Sequence, residues 1–248
     1  MNLKIFRFLI ILTIATLSLP SGILNEKKEY DLSRNLIYQI EDKVENYAKF
    51  EELPIEFVNA LVSAEDKRFY HHIGFDPIAI GNALYVDIKE KRFVLGGSTL
   101  SQQLCKNMFL NSNKKLERKF KELILSIRIE RQYSKNEIIE MYSNVIYYGN
   151  GAYGIKDAAK TYFQKPLKEL NVQECAFLAG LPKGPSRYNP NDNYDRALKR
   201  RNKVLSLMLK NNYISKIEYE QLKNEPIELK AISENEIAFF IYKHLFEW

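Results

Sequence analysis

Phe57-Val-Asn-Ala-Leu-Val-Ser-Ala-Glu65-Asp-Lys-Arg-Phe-Tyr-His-His72 is the stretch that decides the fold class. Val58, Leu61, Val62 and Phe69 recur at the spacing of one helix face, not at the alternation of a strand. Working outward, no segment of the 248 residues alternates apolar and polar side chains between turn signals, and Gly (10) and Pro (8) are scarce. The expectation is an all-α, mostly helical protein with one sizeable core, or a core plus a small satellite lobe. With 46% hydrophobic and 27% charged residues the chain reads as globular. Glu65 shares the apolar face, three residues after Val62 and four before Phe69. A carboxylate there costs free energy unless it is paired or neutral. Such surroundings suit a general base, and they equally suit a Glu held by a buried Arg or by a helix end.

Charge and termini narrow the setting. Thirty-seven Lys and Arg against 31 Asp and Glu give +6, which favours anionic partners such as phosphates or an acidic membrane surface. Lys4 and Arg7 precede an apolar run from Phe8 to Leu19 that breaks at Pro20-Ser-Gly22. That pattern is handled by export machinery. Residues 1–24 read as an uncleaved signal-anchor just long enough to span a membrane once, with a cleaved signal peptide as the alternative. Either way the remainder lies outside the cytoplasm, which excludes nucleic acid as a partner. Cys105 and Cys175 sit in apolar helical runs and read as buried free thiols, with no zinc-ligand spacing near them.

Three further segments carry candidate chemistry. In Gly96-Gly-Ser-Thr-Leu-Ser-Gln-Gln-Leu-Cys-Lys-Asn107, a Gly pair leads into Thr99 and Gln102 at capping-box spacing, with Lys106 seven residues beyond Thr99 on the same helix face. Glycine lets backbone approach a ligand and a helix start offers free N–H groups, so the segment suits a pyrophosphate. It lacks Walker A spacing. In the segment from Lys114 to Ile127, Leu116, Phe120, Leu123 and Ile127 form the expected buried stripe. Glu122 lies off that stripe, four residues after Arg118, as in an ordinary ion pair. Beside Glu65, however, it would complete the two carboxylates of glycosyl chemistry. Ser134 and Glu137 form a second capping box opening a helix that runs to Tyr148-Gly149, with Asn144, Tyr147 and Tyr148 as packing and capping residues. His71, His72 and His244 show no triad or metal spacing, and His71 and His244 read as surface or packing residues. Residues 195–225 read as two amphipathic helices, the first basic with a solvated face, and residues 234–248 form an apolar tail.

Together these segments resemble glycosyltransferase family 51, the peptidoglycan transglycosylases found alone or at the N-terminus of class A penicillin-binding proteins. The resemblance covers about residues 53–190 in the family's order. Glu65-Asp66-Lys-Arg68-Phe69 through Asp76 looks like the first motif and Gly96 to Asn107 like the second. Arg118-Lys119-Phe-Lys121-Glu122 looks like the third, and Ser134 to Asn144 like the fourth. Gly154 to Phe163 looks like the fifth. The resemblance implies a lysozyme-like lobe with a smaller membrane-proximal jaw, and lipid II with its growing glycan chain as substrates. By motif position Glu65 would deprotonate the acceptor 4-hydroxyl and Glu122 would be the second carboxylate. Arg68, Ser98, Gln102, Lys106, Lys114 and Arg118 would line the donor's phosphates and sugars. Lys114 stands where the family usually has Arg, keeping the charge but losing the fork. Ser101, Ser143 and Gln164 replace a common Thr, Leu and Gly.

The organisation expected is a 1–24 anchor, a 25–52 amphipathic connecting helix, a 53–190 catalytic domain and 191–248 C-terminal helices. The implied enzyme performs inverting transfer, releasing undecaprenyl pyrophosphate at the outer face of the cytoplasmic membrane. No cofactor is required, and a divalent cation (Mg or Mn) is allowed for. Cell-wall synthesis proteins are the further partners expected. The rival readings are a lysozyme-like glycan hydrolase and an inactive scaffold for anionic lipid. No Lys-[Ser/Thr]-Gly motif of a transpeptidase occurs, yet 195–248 look like the stretch joining the two domains of bifunctional relatives. A monofunctional enzyme and part of a bifunctional one both remain open.

Overall fold

The computed structural model describes residues 30–32, 34–90, 97–111 and 115–229. The anchor, Lys114, His244 and the apolar tail therefore lie outside the described residues. Among those described, no helix is long and apolar enough to cross a membrane. In chain order the helices are α1 (Leu36–Lys43), α2 (Ile55–Glu65), α3 (Pro77–Glu90), α4 (Leu100–Phe109) and α5 (Lys115–Gln132). They continue with α6 (Lys135–Val145), α7 (Ile155–Phe163), α8 (Val172–Gly180), α9 (Tyr194–Lys210) and α10 (Lys216–Leu222). The protein is mostly helical, as its apolar spacing predicts. Its described residues divide into two compact units, the first falling within 30–42 and 68–141 and the second within 43–67 and 142–229.

In the first unit α4 packs on α5. The predicted box forms at the start of α4: the Gln102 amide donates to Thr99 Oγ1 (3.1 Å) and the Thr99 amide to Gln102 Oε1 (3.0 Å). The Thr99 hydroxyl donates in turn to the Gly74 carbonyl (2.6 Å). Gly74 has φ +93°, and a Cβ there would lie 2.6 Å from the Ser126 carbonyl carbon, so this turn seats directly on the α5 backbone. Buried Glu130 of α5 accepts from Ser101 (2.5 Å) and Lys135 (2.6 Å), with His72 Nδ1 at 3.4 Å. Burial opposes its charge, but bonds from His72, Lys135 and Ser101 outweigh that and hold its carboxyl below the usual range.

In the second unit α8 packs on both α2 and α9, and α9 also packs on α2. Phe57, Leu61, Ala176, Leu178, Val204 and Leu205 fill this three-helix core. Asn144 ties the chain before α2 to the end of α6, accepting from the Ala48 amide and donating to its carbonyl, each at 2.8 Å. Beyond α6 the chain forms a hairpin, β1 (Tyr147–Gly149) against antiparallel β2 (Ala152–Tyr153).

Five expectations are corrected here. α2 ends at Glu65, because Asp66 (φ −156°, ψ 74°) leaves helical backbone, so Phe69 does not continue its stripe. The connecting helix covers only Leu36–Lys43 among the described residues, since Asn144 holds the Ala48 backbone through bonds a helix would need for itself. The helix expected to reach Gly149 stops at Val145, because Asn150 (φ 50°) and Gly151 (φ 74°) make the left-handed turn of a hairpin. On α5 the buried stripe is rotated: Phe120 is 48% exposed and Glu122 only 1%. Its two neighbouring cations, below, let the carboxylate go inside while Phe120 turns out. The supposed solvated face of α9 buries Arg200 and Arg201, each satisfied by bonds to neighbouring elements.

Candidate active site

Glu65 is the last residue of α2, and its side chain is 9% exposed. A carboxylate so withdrawn from water needs countercharge. Arg200 of α9 supplies it, donating from Nη2 to Glu65 Oε1 at 3.0 Å. Arg200 is itself fixed by a bond from Nε to the Gly180 carbonyl (2.9 Å), with its guanidinium over the Tyr188 ring at 5.6 Å. Of the alternatives the sequence left open, the structure displays a Glu held by a buried Arg, at the last residue of α2. The Arg200 partnership was missed in the sequence. Ala197, Arg201, Val204 and Met208 mark the inner face of α9, and Arg200 lies between Ala197 and Val204. Placing a charge on that stripe would have found it by the reasoning that found Glu65. Nearby Tyr142 is fully buried. Burial, and then the charge of Glu65, push its phenol well above its ordinary value, so it stays neutral.

The second carboxylate belongs to the first unit. Glu122 is paired through Oε1 with Arg118 Nε at 3.1 Å and through Oε2 with Lys119. The Arg118 contact has the distance of an ion pair without hydrogen-bond alignment. Lys119 also donates to Ser98 Oγ (2.8 Å), which ties the loop before α4 to α5. Ser98, Arg118, Lys119 and Glu122 therefore form one cluster. Lys119 had no assigned role in the sequence reading, although its three-residue spacing from Glu122 was the signal. Lys106 stands exposed on α4.

Two other candidates have structural partners. Arg68 Nη2 lies 2.6 Å from both Asp76 oxygens, and Asp76 also accepts from the Ile78 and Ala79 amides (2.9 Å each), capping α3. Burial works against the Asp76 charge, but Arg68 and these amides overcome it and hold the carboxyl below its usual range. Gln102 is buried as the reciprocal half of the Thr99 box. Among the described residues no group of three or more His, Cys, Asp or Glu is arranged to hold a metal ion.

Residues 33–209 match the family described as Transglycosylase, and the chain belongs to that family. It is 45% identical over 213 residues to penicillin-binding protein 1A of Aquifex aeolicus (strain VF5), covering 86% of this chain and 29% of that protein. Penicillin-binding protein 1A of Vibrio cholerae is 45% identical over 192 residues, 77% of this chain and 23% of that protein. A crystal structure of Penicillin-Binding Protein 1A from Haemophilus influenzae aligns with a TM-score of 0.46 at 25% identity, over 80% of this chain and 21% of that one. The chain spans about a quarter of the length of the curated relatives it matches. The family match reaches past 190 and includes most of α9, and with it Arg200.

Proposed function

We propose that this chain is a peptidoglycan glycosyltransferase that polymerises lipid II into glycan strands by inverting transfer. Glu65 takes the proton from the acceptor's 4-hydroxyl as that oxygen bonds to C1 of the lipid-linked donor. The C1–oxygen bond to the pyrophosphate breaks, and its electron pair leaves with undecaprenyl pyrophosphate. Negative charge grows on that leaving group, and Lys106, Lys114 and Arg118 offset it. Glu122 orients Arg118 and Lys119, while Ser98 and Arg68 border the donor and Gln102 holds the helix that carries Lys106.

The observation that carries this reading is the nearly dry Glu65 carboxylate fixed at 3.0 Å by a buried guanidinium. A base held this way is oriented before substrate arrives, which is where much of catalysis originates. A glycan hydrolase would have little use for the cations around Glu122, since hydrolysis releases no diphosphate. The second unit is the lysozyme-like lobe in this reading and the first is the membrane-proximal jaw. Exposed Ile73, Ile78, Ile80, Val86 and Phe120 on the first unit support the latter. Residues 1–24 would anchor the chain in the cytoplasmic membrane, with the catalytic part outside. The test is Glu65→Gln with labelled lipid II. Polymer formation should fall by about 10²–10⁴-fold, the usual worth of a general base. Near-normal chain growth, or shortening of finished glycan by the unaltered protein, would sink the proposal.

A further inference from the structure

We infer that Arg200 is the positioning residue for the proposed base, and that Gly180 and Tyr188 are shaped to seat it. The inference rests on the reading of Glu65 as the base and goes on to say what makes it one. Arg200 is anchored at three points that differ in chemistry. Its Nε donates to a backbone carbonyl, its π face lies over Tyr188, and its Nη2 reaches Glu65. With the fork fixed by the first two contacts, the third dictates where Glu65 Oε1 sits. A lysine could supply the charge, but one ammonium cannot reproduce a planar group bonding a carbonyl and a carboxylate at once.

Gly180 makes the seat possible. A Cβ there would lie 3.2 Å from Arg200 Cγ and 3.4 Å from Val204 Cγ2, so a larger residue would push the arginine stem off its track. The side chain is 7% exposed, which makes the charge costly to hold unless it serves a partner. Among the groups that act on Glu65 are the Arg200 guanidinium and the neutral phenol of Tyr142, with buried Tyr148 acting on Tyr142 in turn. Arg200 is a cation. It favours the ionised acid, which is the form that accepts a proton.

The experiment compares Arg200→Gln, Arg200→Lys, Tyr188→Leu and Glu65→Gln in the full chain. It measures kcat and KM for lipid II across pH, with thermal melts beside them. Arg200→Gln should lower kcat by about 10- to 100-fold, the effect of misplacing a reacting group by roughly an ångström, with little change in KM. Its acid limb of kcat should move to higher pH, because the carboxylate has lost its cation. Arg200→Lys should restore the position of the limb but only part of kcat. Should Arg200→Gln fail to fold, Tyr188→Leu and Arg200→Lys decide the matter, since both should lower kcat while remaining folded at the assay temperature. A dead Glu65→Gln beside folded Arg200 and Tyr188 variants of normal kcat and pH profile overturns this inference alone. An active Glu65→Gln overturns the reading beneath it.

Discussion

Individual side chains show how charge is made tolerable inside this protein. Glu122, 1% exposed, is stable because Arg118 and Lys119 both face it. Lys119→Met leaves one cation and frees Ser98 from its tie. Breaking a buried pair costs several kcal/mol, but Lys119 is 39% exposed and water screens it, so the loss should be about 1–2 kcal/mol. A melt lower by roughly 2–8 °C would agree, and an unchanged melt would mean Arg118 alone suffices. Ser143 makes the opposite case. It is fully buried, and its Oγ has no hydrogen-bond partner among the described residues. Ser143→Ala should therefore stabilise by about 1 kcal/mol, the penalty of an unmet hydroxyl, as read from denaturant midpoints at constant slope. Destabilisation would show that the hydroxyl is bonded after all. The sequence revealed the acids more readily than their partners. Glu65, a carboxylate on an apolar stripe, stands out, and Glu122 shows by its spacing from Arg118, whereas Arg200 and Lys119 lie in basic runs where a solvated face is the ordinary reading.

Among the elements, what the sequence made legible is what local chemistry controls. Thr99 with Gln102 and Ser134 with Glu137 open α4 and α6 as their spacing predicts, because a capping box is settled within four residues. The rotation of α5 was not legible. Its run from Leu123 to Ile129 is apolar on more than one face, so the buried side is chosen by the Glu122 ion pairs and by the Glu130 cluster. Asn150-Gly151 was a readable hairpin signal, but the helical pattern before it hid the change of period. Gln164 carries a cost that the sequence did signal, since the resembling family commonly has Gly there. It ends α7 in left-handed backbone, φ 52° and ψ 37°. A non-glycine residue pays about 1–2 kcal/mol in that region. Gln164→Gly should recover about 0.5–1 kcal/mol after the entropy of glycine is charged against it. Slower amide exchange in the last turn of α7 would report the gain, and faster exchange would show that the Gln side chain contributes more than its backbone costs.

At the scale of the whole molecule, acid should loosen the first unit through two carboxylates that can be named. In the first unit the carboxyls of Glu130 and Asp76 are held below their ordinary values by the bonds they accept. A carboxyl with a depressed folded pKa binds more protons when unfolded. Its stabilisation is therefore complete above the unfolded pKa and is lost as pH falls toward the folded one. In the second unit Glu52 and Glu218 are also held low, near the surface where water screens most of the effect, whereas Glu65 is withdrawn from water against Arg200. Between about pH 5 and 3, amide protection across α4 and α5 should therefore fall. Glu130→Gln keeps the shape and deletes the titration. It should lower stability near neutral pH, because Lys135 and His72 lose their acceptor charge, and should flatten the acid dependence of the first unit alone. Hydrogen exchange by mass spectrometry resolves the units separately. An acid dependence of α4 and α5 untouched by Glu130→Gln would mean that their acid sensitivity resides elsewhere.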